Sequence, residues 1–576
     1  MTARKVVADR IPVVRMLRDY ERSFFRYDLV AGLVLATMLI PQGMAYAELT
    51  GLPAITGIYT TIAALLAYSV LGPNRLLILG PDSALAPIIA AVILPLAAGD
   101  AATAIVLASA LSVISGVVCI LAGYLRAGII TELLSKPIRI GYLNGIATVV
   151  LISQLPKALG FSVDEERTID VLMATFQEVL DGETVIAALA LSAGAILVIV
   201  GLRRVSATFP GIVVAALLSI AAVALFDLVD RGVRIVGDIP AGLPPFTIPE
   251  FSLEDFPTLL WGAVAVALVS FADTGALSTA TALKSGVRVD PNSEIKALGA
   301  ANILSGVFQG FPTSASSSRT AVAMSVGSKT QLTGLIAAAG VITVMLAVPG
   351  VVAEMPSPTL AAIVVIASLS LFDWPATKWL FRARRSEFVM LLGSFLGVVI
   401  VGILEGIAIA VVLSLANFIR KALRPHSTEL GKLEGVPGYH DRDRHPDAAV
   451  VPGLLIIRFD APLFFANAPR FARTLQEMMH SAERPIDTVL VVGNAITDID
   501  TTGAEILSNV LDSLHARNVG LAFAGLKGHV KDHLHAYGIY DRIGDEHFHP
   551  NTISAVEMYK KEHDDDTDED LGEAQG

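Results

Sequence analysis

The run Ser316-Ser317-Ser318-Arg319-Thr320 is the densest concentration of chemistry in the chain. Gly310-Phe311-Pro312 interrupts the backbone just before it and apolar residues follow. Arg319 therefore belongs to the start of a helix inside an apolar block, not to a loop cluster of charges. A guanidinium at that depth is costly and marks a functional site by default. Free N–H groups at a helix start attract anions, and the hydroxyl of Ser318 and its neighbours add donors. The plainer alternatives are a salt bridge made for packing, or an Arg that snorkels to the interface.

Asp273 is the matching acid. It stands in Leu268-Val269-Ser270-Phe271-Ala272-Asp273-Thr274-Gly275, with no basic residue within ten positions. A carboxylate there must bind a proton, a cation or Arg319. A static Asp273–Arg319 pair is the reading without coupling. Gln42 and Tyr46, four apart on one helix face, and Ser83-Ala84, at the start of another apolar block, complete the candidate anion contacts. Glu48 reads equally well as interfacial, and Asp82 is expected to act as an N-cap.

Other chemistries find no support. All eleven His lie at or beyond His426 and the single Cys is Cys119, so the apolar part has neither an imidazole relay nor a His or Cys metal site. His529 and His533 have i, i+4 spacing, assigned here to an amphipathic surface helix and not to zinc. HExxH, P-loop and GxSxG motifs are absent. No enzyme activity, cofactor or metal is expected.

The elements that must position these residues are membrane helices. Mean hydropathy is +0.64 and charged residues make up 17%, against about 25% for a soluble chain. Apolar segments fall at 29–49, 54–71, 83–97, 102–123, 138–155, 183–201, 210–226, 257–283, 293–310, 316–327, 330–349, 359–372, 387–403 and 405–422. With the N-terminus inside, one set of connections carries many basic residues, among them Arg75, Arg126, Lys136, Arg139, Arg203 and Arg204. The opposite set carries only Lys157, Arg167, Arg231 and Arg234. That bias, with fourteen spans, puts both termini in the cytoplasm. Residues 1–28 lack the apolar stretch of a cleavable signal and are expected to be a cytoplasmic segment.

Two of the fourteen segments are short, and they match. Gly80-Pro81 precedes the third segment of the first half and Phe311-Pro312 the third of the second, each roughly 52 residues after its half begins at Leu29 or Trp261. Seven segments per half invert the second half, which gives a seven-plus-seven inverted repeat. Paired Gly/Pro-interrupted segments mark a carrier's midplane site.

Composition shifts after residue 425. Residues 426–449 read as a polar linker. Residues 450–560 read as a small α/β domain, with strands at 454–459, 488–492 and 520–524 and helices at 469–479 and 503–514. Residues 561–576 read as an acidic disordered tail. The formal charge of −12 sits in such extramembrane parts, so nucleic acid is not expected as a partner.

These residues resemble the sulfate permease (SulP) family of anion transporters. The resemblance rests on Ile40-Pro41-Gln42-Gly43-Met44-Ala45-Tyr46-Ala47, Gly57-Ile58-Tyr59 and Ser318-Arg319. The C-terminal part resembles a STAS domain through Ala461-Pro462-Leu463-Phe464-Phe465-Ala466-Asn467 and Asp500-Thr501-Thr502-Gly503. The resemblance implies a nucleobase-transporter-like fold with core and gate domains, often dimeric, working by an elevator motion. It implies an inner-membrane protein that carries sulfate, bicarbonate, a dicarboxylate or a related anion between the starts of the third and tenth helices. Some bicarbonate members bind sodium through an Asp matching Asp273 and a Thr four positions on, where this chain has Leu277; Thr274 or Ser278 could substitute. In STAS-like regulators the hydroxyl residue matching Thr502 can be phosphorylated, and a cytoplasmic partner of this domain would then follow; an ordinary N-cap is the simpler role for Thr502.

The expectation is therefore proton-coupled sulfate transport. A sodium-coupled bicarbonate or dicarboxylate symporter is the alternative, and a membrane anion sensor signalling through STAS is the alternative class. Two helix starts at about half a charge each plus Arg319 give roughly +2, and Asp273 lowers this to about +1 when ionised. At ~6 Å and an effective dielectric near 20 that unit is worth about 3 kcal/mol, roughly a hundredfold coupling between cation and anion.

Overall fold

A computed structural model describes residues 12–126, 135–163, 165, 167–205, 210–237, 242–285 and 289–573, without the side chains of 283–285 and 564–573. The chain divides into two compact units, Met1–Ser414 and Leu415–Gly576.

The first unit is helical. Its spans are α1 (Phe25–Leu49), α2 (Ala54–Leu71), α3 (Ala86–Ala97), α4 (Ala101–Tyr124), α5 (Lys136–Leu159), α6 (Ile186–Val205) and α7 (Gly211–Phe226). The second set is α8 (Phe256–Ser285), α9 (Pro291–Val307), α10 (Ser317–Val326), α11 (Leu332–Ala347), α12 (Ser357–Leu369, continued by Trp374–Ala383), α13 (Arg385–Leu396) and α14 (Ile403–Leu423). The fourteen segments read from hydropathy correspond to these in order. Eight helices among the described residues are long and apolar enough to cross a bilayer alone. At 12 and 10 residues, α3 and α10 reach about 18 and 15 Å, half the hydrocarbon thickness.

Both short helices follow a break. β1 (Leu79–Gly80) and β2 (Ser314–Ala315) pair antiparallel, Leu79 against Ala315 and Gly80 against Ser314. Pro81 and Pro312 cannot donate to a helix and keep the preceding residue extended, so the chain passes each break as strand and turns into helix only beyond it. The third helix consequently starts at Ala86, after a turn at Ser83–Leu85, and not at Ser83 as expected.

Helices α1, α2, α4, α8, α9 and α11 pack together as one bundle, and α5, α6, α7, α12 and α13 as another. Small residues allow the closest approaches. A Cβ on Gly57 would lie 1.9 Å from the carbonyl oxygen of Gly43, and one on Gly299 2.6 Å from that of Gly116. Fully buried Asp28 accepts from the N–H groups of Lys329 and Thr330 at 2.7 and 3.0 Å, and from the Thr330 and Thr333 hydroxyls. This anchors the approach to α11. It also corrects the expected cytoplasmic segment 1–28: α1 already begins at Phe25, so Asp28 is a helix residue of the bundle.

The second unit holds a six-stranded sheet of order β4-β3-β5-β6-β7-β8. Its strands are β3 (Ser427–Lys432), β4 (Tyr439–Asp441), β5 (Gly453–Phe459), β6 (Ile486–Val492), β7 (Gly520–Ala524) and β8 (Phe548–His549), with helices α15 (Ala468–Ser481), α16 (Thr501–His515), α17 (Gly528–Ala536) and α18 (Thr552–Glu573). β5 to β8 run parallel; β3 and β4 are antiparallel additions at one edge. The expected linker 426–449 is thus corrected: it supplies β4 at the sheet edge and β3 next to it. Only Thr428 and Leu430 of β3 alternate inward among polar neighbours, too weak a period-2 pattern to read as a strand. The expected disordered tail from 561 is corrected likewise. α18, anchored by buried Ala555, Val556 and Tyr559, propagates through the acidic run to Glu573, and 574–576 lie outside the described residues.

Asp441 locks the edge hairpin. Its carboxylate accepts from the Thr428 hydroxyl and the Asp443 N–H at 2.9 Å each and lies 2.9 Å from His426 Nε2. Burial alone would raise its pKa, but these hydrogen bonds outweigh burial and hold the carboxyl at about 2. A depressed carboxyl adds stability above its unfolded value and loses it as pH falls through the folded one. Asp441→Asn should therefore weaken hydrogen-exchange protection of β3 and β4 at pH 7. The difference from wild type should shrink as pH falls from about 4 toward 2. Equal protection at pH 7 would refute the lock.

Candidate functional site

The helix starts of α3 and α10 meet across the β1–β2 pair, and Arg319 fastens them. Its side chain is 1% exposed. The guanidinium donates to the carbonyl of Pro81, to that of Gly80 at 3.2 Å and to that of Ser314 at 3.3 Å. These are backbone groups that the breaks leave without helical partners. The Ser314 hydroxyl in turn donates to Asp82. Arg319, Ser314 and Asp82 thus form a chain from the second repeat to the first.

In front of this clamp lies a cavity of about 920 Å³ between the two bundles. Gln42 and Tyr46 from α1, Ser83 and Ala84 from the turn before α3, Asp273 from α8 and Ser318 from α10 all line it. Arg319 does not; it stands behind the wall. The Gln42 amide donates to the Tyr46 hydroxyl at 3.3 Å, and its carbonyl oxygen has no partner among the described residues. Ser316 and Ser318 hydroxyls are 3.0 Å apart.

Three expectations change. The static Asp273–Arg319 pair is not formed: the two terminal guanidinium nitrogens bond backbone carbonyls instead, and Nε has no hydrogen-bond partner among the described residues. Asp273 faces the cavity without a hydrogen-bond or ion-pair partner among the described residues, and its charged neighbours are Asp82 and Arg139. Asp82 is no N-cap: its carboxylate turns sideways to Ser314 and lines the cavity. Thr274 and Ser278 are already committed. The Thr274 hydroxyl accepts the Ala315 N–H at 3.2 Å, and the Ser278 hydroxyl donates to buried Glu294 at 2.8 Å while accepting from Asn74 at 3.0 Å. Glu48 lies inward, 3.5 Å from the Ser357 hydroxyl, with Lys157 donating to its backbone carbonyl at 3.0 Å.

Arg139 and Arg203 also line the cavity and were assigned by sequence to loops. Arg139 sits one turn inside α5, which starts at Lys136, and only its place within the helix could have signalled this.

In the second unit Thr502 is exposed in the first turn of α16. Asp500 is the N-cap, accepting from the Gly503 N–H at 2.6 Å and the Phe465 N–H at 2.9 Å, so Thr502 has no capping role. His529 and His533 point to separate partners, Thr497 at 2.6 Å and Asp498 at 3.3 Å. His426, Asp441 and Asp443 gather closely enough to hold an ion, but the Asp441 oxygens already serve the hairpin lock.

An inverted repeat of broken helices whose N-termini face a polar, carboxylate-bearing cavity defines a membrane carrier for anions. Comparison with known proteins agrees. Residues 25–394 match the sulfate permease family and 445–555 match the STAS domain. A "Probable sulfate transporter" of Mycobacterium tuberculosis is 38% identical over 550 residues, covering 96% of this chain and 98% of that protein. The chloroplastic sulfate transporter 4.1 of Arabidopsis thaliana is 28% identical over 568 residues, covering 95% and 82%. The chain belongs to the sulfate permease family, a family of transporters and not of enzymes. In fold it is similar to the murine solute carrier 26 member A9 anion transporter in its inward-facing state, with TM-score 0.88 and 21% identity over 97% of this chain and 96% of that one. The transmembrane domain of a cyanobacterial bicarbonate transporter, BicA, also aligns, with TM-score 0.59 and 21% identity over 69% and 98%.

Arg319→Ala should abolish saturable anion uptake and also lower the melting temperature of the membrane unit, since three buried carbonyls lose their donor at about 1–3 kcal/mol each. Arg319→Lys keeps the charge without the planar fork and should retain part of both. Uptake and melting at wild-type levels in the alanine variant would refute the clamp.

Proposed function

We propose that the protein carries sulfate across the cytoplasmic membrane in symport with protons, by an elevator movement of the first bundle against the second. The sulfate assignment draws on the curated relatives. The coupling assignment draws on one observation: Asp273, without a hydrogen-bond or ion-pair partner among the described residues, lines the cavity into which the α3 and α10 helix starts open. An ionised Asp273 repels the anion and a neutral one does not, so cation and anion are taken up together. Proton is favoured over sodium because Leu277 offers no oxygen and the Thr274 and Ser278 hydroxyls are engaged elsewhere.

The cavity is lined by Arg139, Arg203, Pro210 and Asp373, residues at the helix ends that loop charge assigns to the cytoplasm. This supports an inward-facing state and both termini inside. We further propose a homodimer, with the STAS domain as the cytoplasmic contact for a partner.

Asp273→Asn, a neutral mimic, should still bind sulfate but lose accumulation driven by an inward proton gradient and become insensitive to pH. Proteoliposomes with imposed pH or sodium gradients test this. Sodium-driven uptake at fixed pH would replace proton by sodium, and accumulation by the Asn variant would remove Asp273 from coupling. Binding without any net flux in wild type would favour a sensor.

Exposed Thr502 remains open to phosphorylation, and a phosphate there would gain from the α16 N-terminus. Mass spectrometry of native protein should find the modification, and Thr502→Glu should change transport kinetics. Neither effect would leave Thr502 as a surface residue.

A further inference from the structure

The candidate anion contacts Gln42, Tyr46, Ser83, Ala84 and Ser318, and Asp273 beside them, belong to the bundle of α1–α4 and α8–α11. Arg139 belongs to the other bundle. It is half-buried in the first turns of α5 and lines the same cavity, and its side chain has no hydrogen bond or ion pair among the described residues. The charged groups that share its cavity are Asp273 from α8, Asp82 from the turn before α3, Arg203 from α6 and Asp373 from the end of α12. Asp373 is engaged, its carboxylate accepting the Ala376 N–H at 3.0 Å. Arg203 is exposed at the mouth. The result is a guanidinium on the second bundle and a carboxylate on the first, both lining one cavity and each without a partner among the described residues.

We infer that Arg139 is a one-sided anion contact, setting the affinity of the cytoplasm-facing state alone. The inference rests on the elevator reading. In such a movement residues of the first bundle travel with the anion, and their contribution to binding is the same on both sides. A charge on the second bundle meets the anion in one state only, so it shifts that state's affinity and, by linkage, the balance between states. Because Asp273 lines the same cavity, its negative charge opposes Arg139 for the anion until a cation neutralises it. The ligand class is a small anion, and a divalent one gains most. One unit charge across a water-filled cleft changes the binding of a divalent anion by about tenfold.

The test is labelled sulfate flux through the full-length protein in proteoliposomes of known orientation, with half-saturation measured separately at each face. For Arg139→Gln the cytoplasmic-face half-saturation should rise about tenfold, while the opposite face stays within about twofold of wild type. Arg139→Lys keeps the charge and should restore most of the asymmetry; it also serves should the Gln variant fail to fold. Half-saturation that changes equally at both faces, or at neither, would overturn the inference while leaving the transporter reading intact. A wild type without saturable flux would overturn that reading and this inference with it.

Discussion

The structure depends on Arg319 holding the carbonyls of two broken helices together. Interrupting a helix at the centre of a bilayer leaves donors and acceptors that lipid cannot satisfy. Here the β1–β2 pairing satisfies some, and the guanidinium takes the carbonyls of Gly80, Pro81 and Ser314. The cost of burying a charge is offset by the very dipoles that the breaks expose. With the crossing fixed, the α3 and α10 helix starts face one cavity, and Ser83 and Ser318 fall on its wall without further machinery.

Long-range side-chain bonds tie the helices of the first bundle to one another. Asp28 holds the approach to α11, and Asn74 bridges to Ser278 and Thr281 on α8 at 3.0 and 2.8 Å. Tyr68 donates to Glu294, tying α2 to α9. Glycine contacts such as Gly116 with Gly299 bring α4 and α9 backbones together, leaving little room for independent motion.

What was legible in the sequence follows from what leaves a one-dimensional trace. Apolar blocks and paired Gly/Pro breaks placed α1 to α14 but not the amphipathic helix Thr168–Asp181, and the β/α alternation of 454–524 placed most of the second unit. Arg319 was legible as a buried charge, but its partners were not, because carbonyls have no letter in a sequence. The Asp–Arg pair was the natural alternative for the same reason. Arg139 escaped because a basic residue one turn inside a helix looks like its loop neighbours, and β3 escaped because its buried Thr428 and Leu430 stand among polar residues and give too weak a period-2 pattern.

These placements also change the electrostatic arithmetic of the site. Asp82 and Arg139 each bear a unit charge of opposite sign, so the sum over the whole cavity is that estimated from sequence. Its distribution is not. Within the first bundle Asp82 offsets Arg319 through Ser314, leaving about +1 from the two helix starts against −1 from Asp273. That bundle is near neutral with Asp273 ionised and close to +1 when Asp273 is neutralised. In the proposed elevator cycle, a moving body with no net attraction for an anion until it takes up a cation would couple the two more strictly than one that is positive throughout. In that same proposed cycle the uncompensated positive charge of Arg139 would stay on the stationary side, drawing anions in without travelling with them.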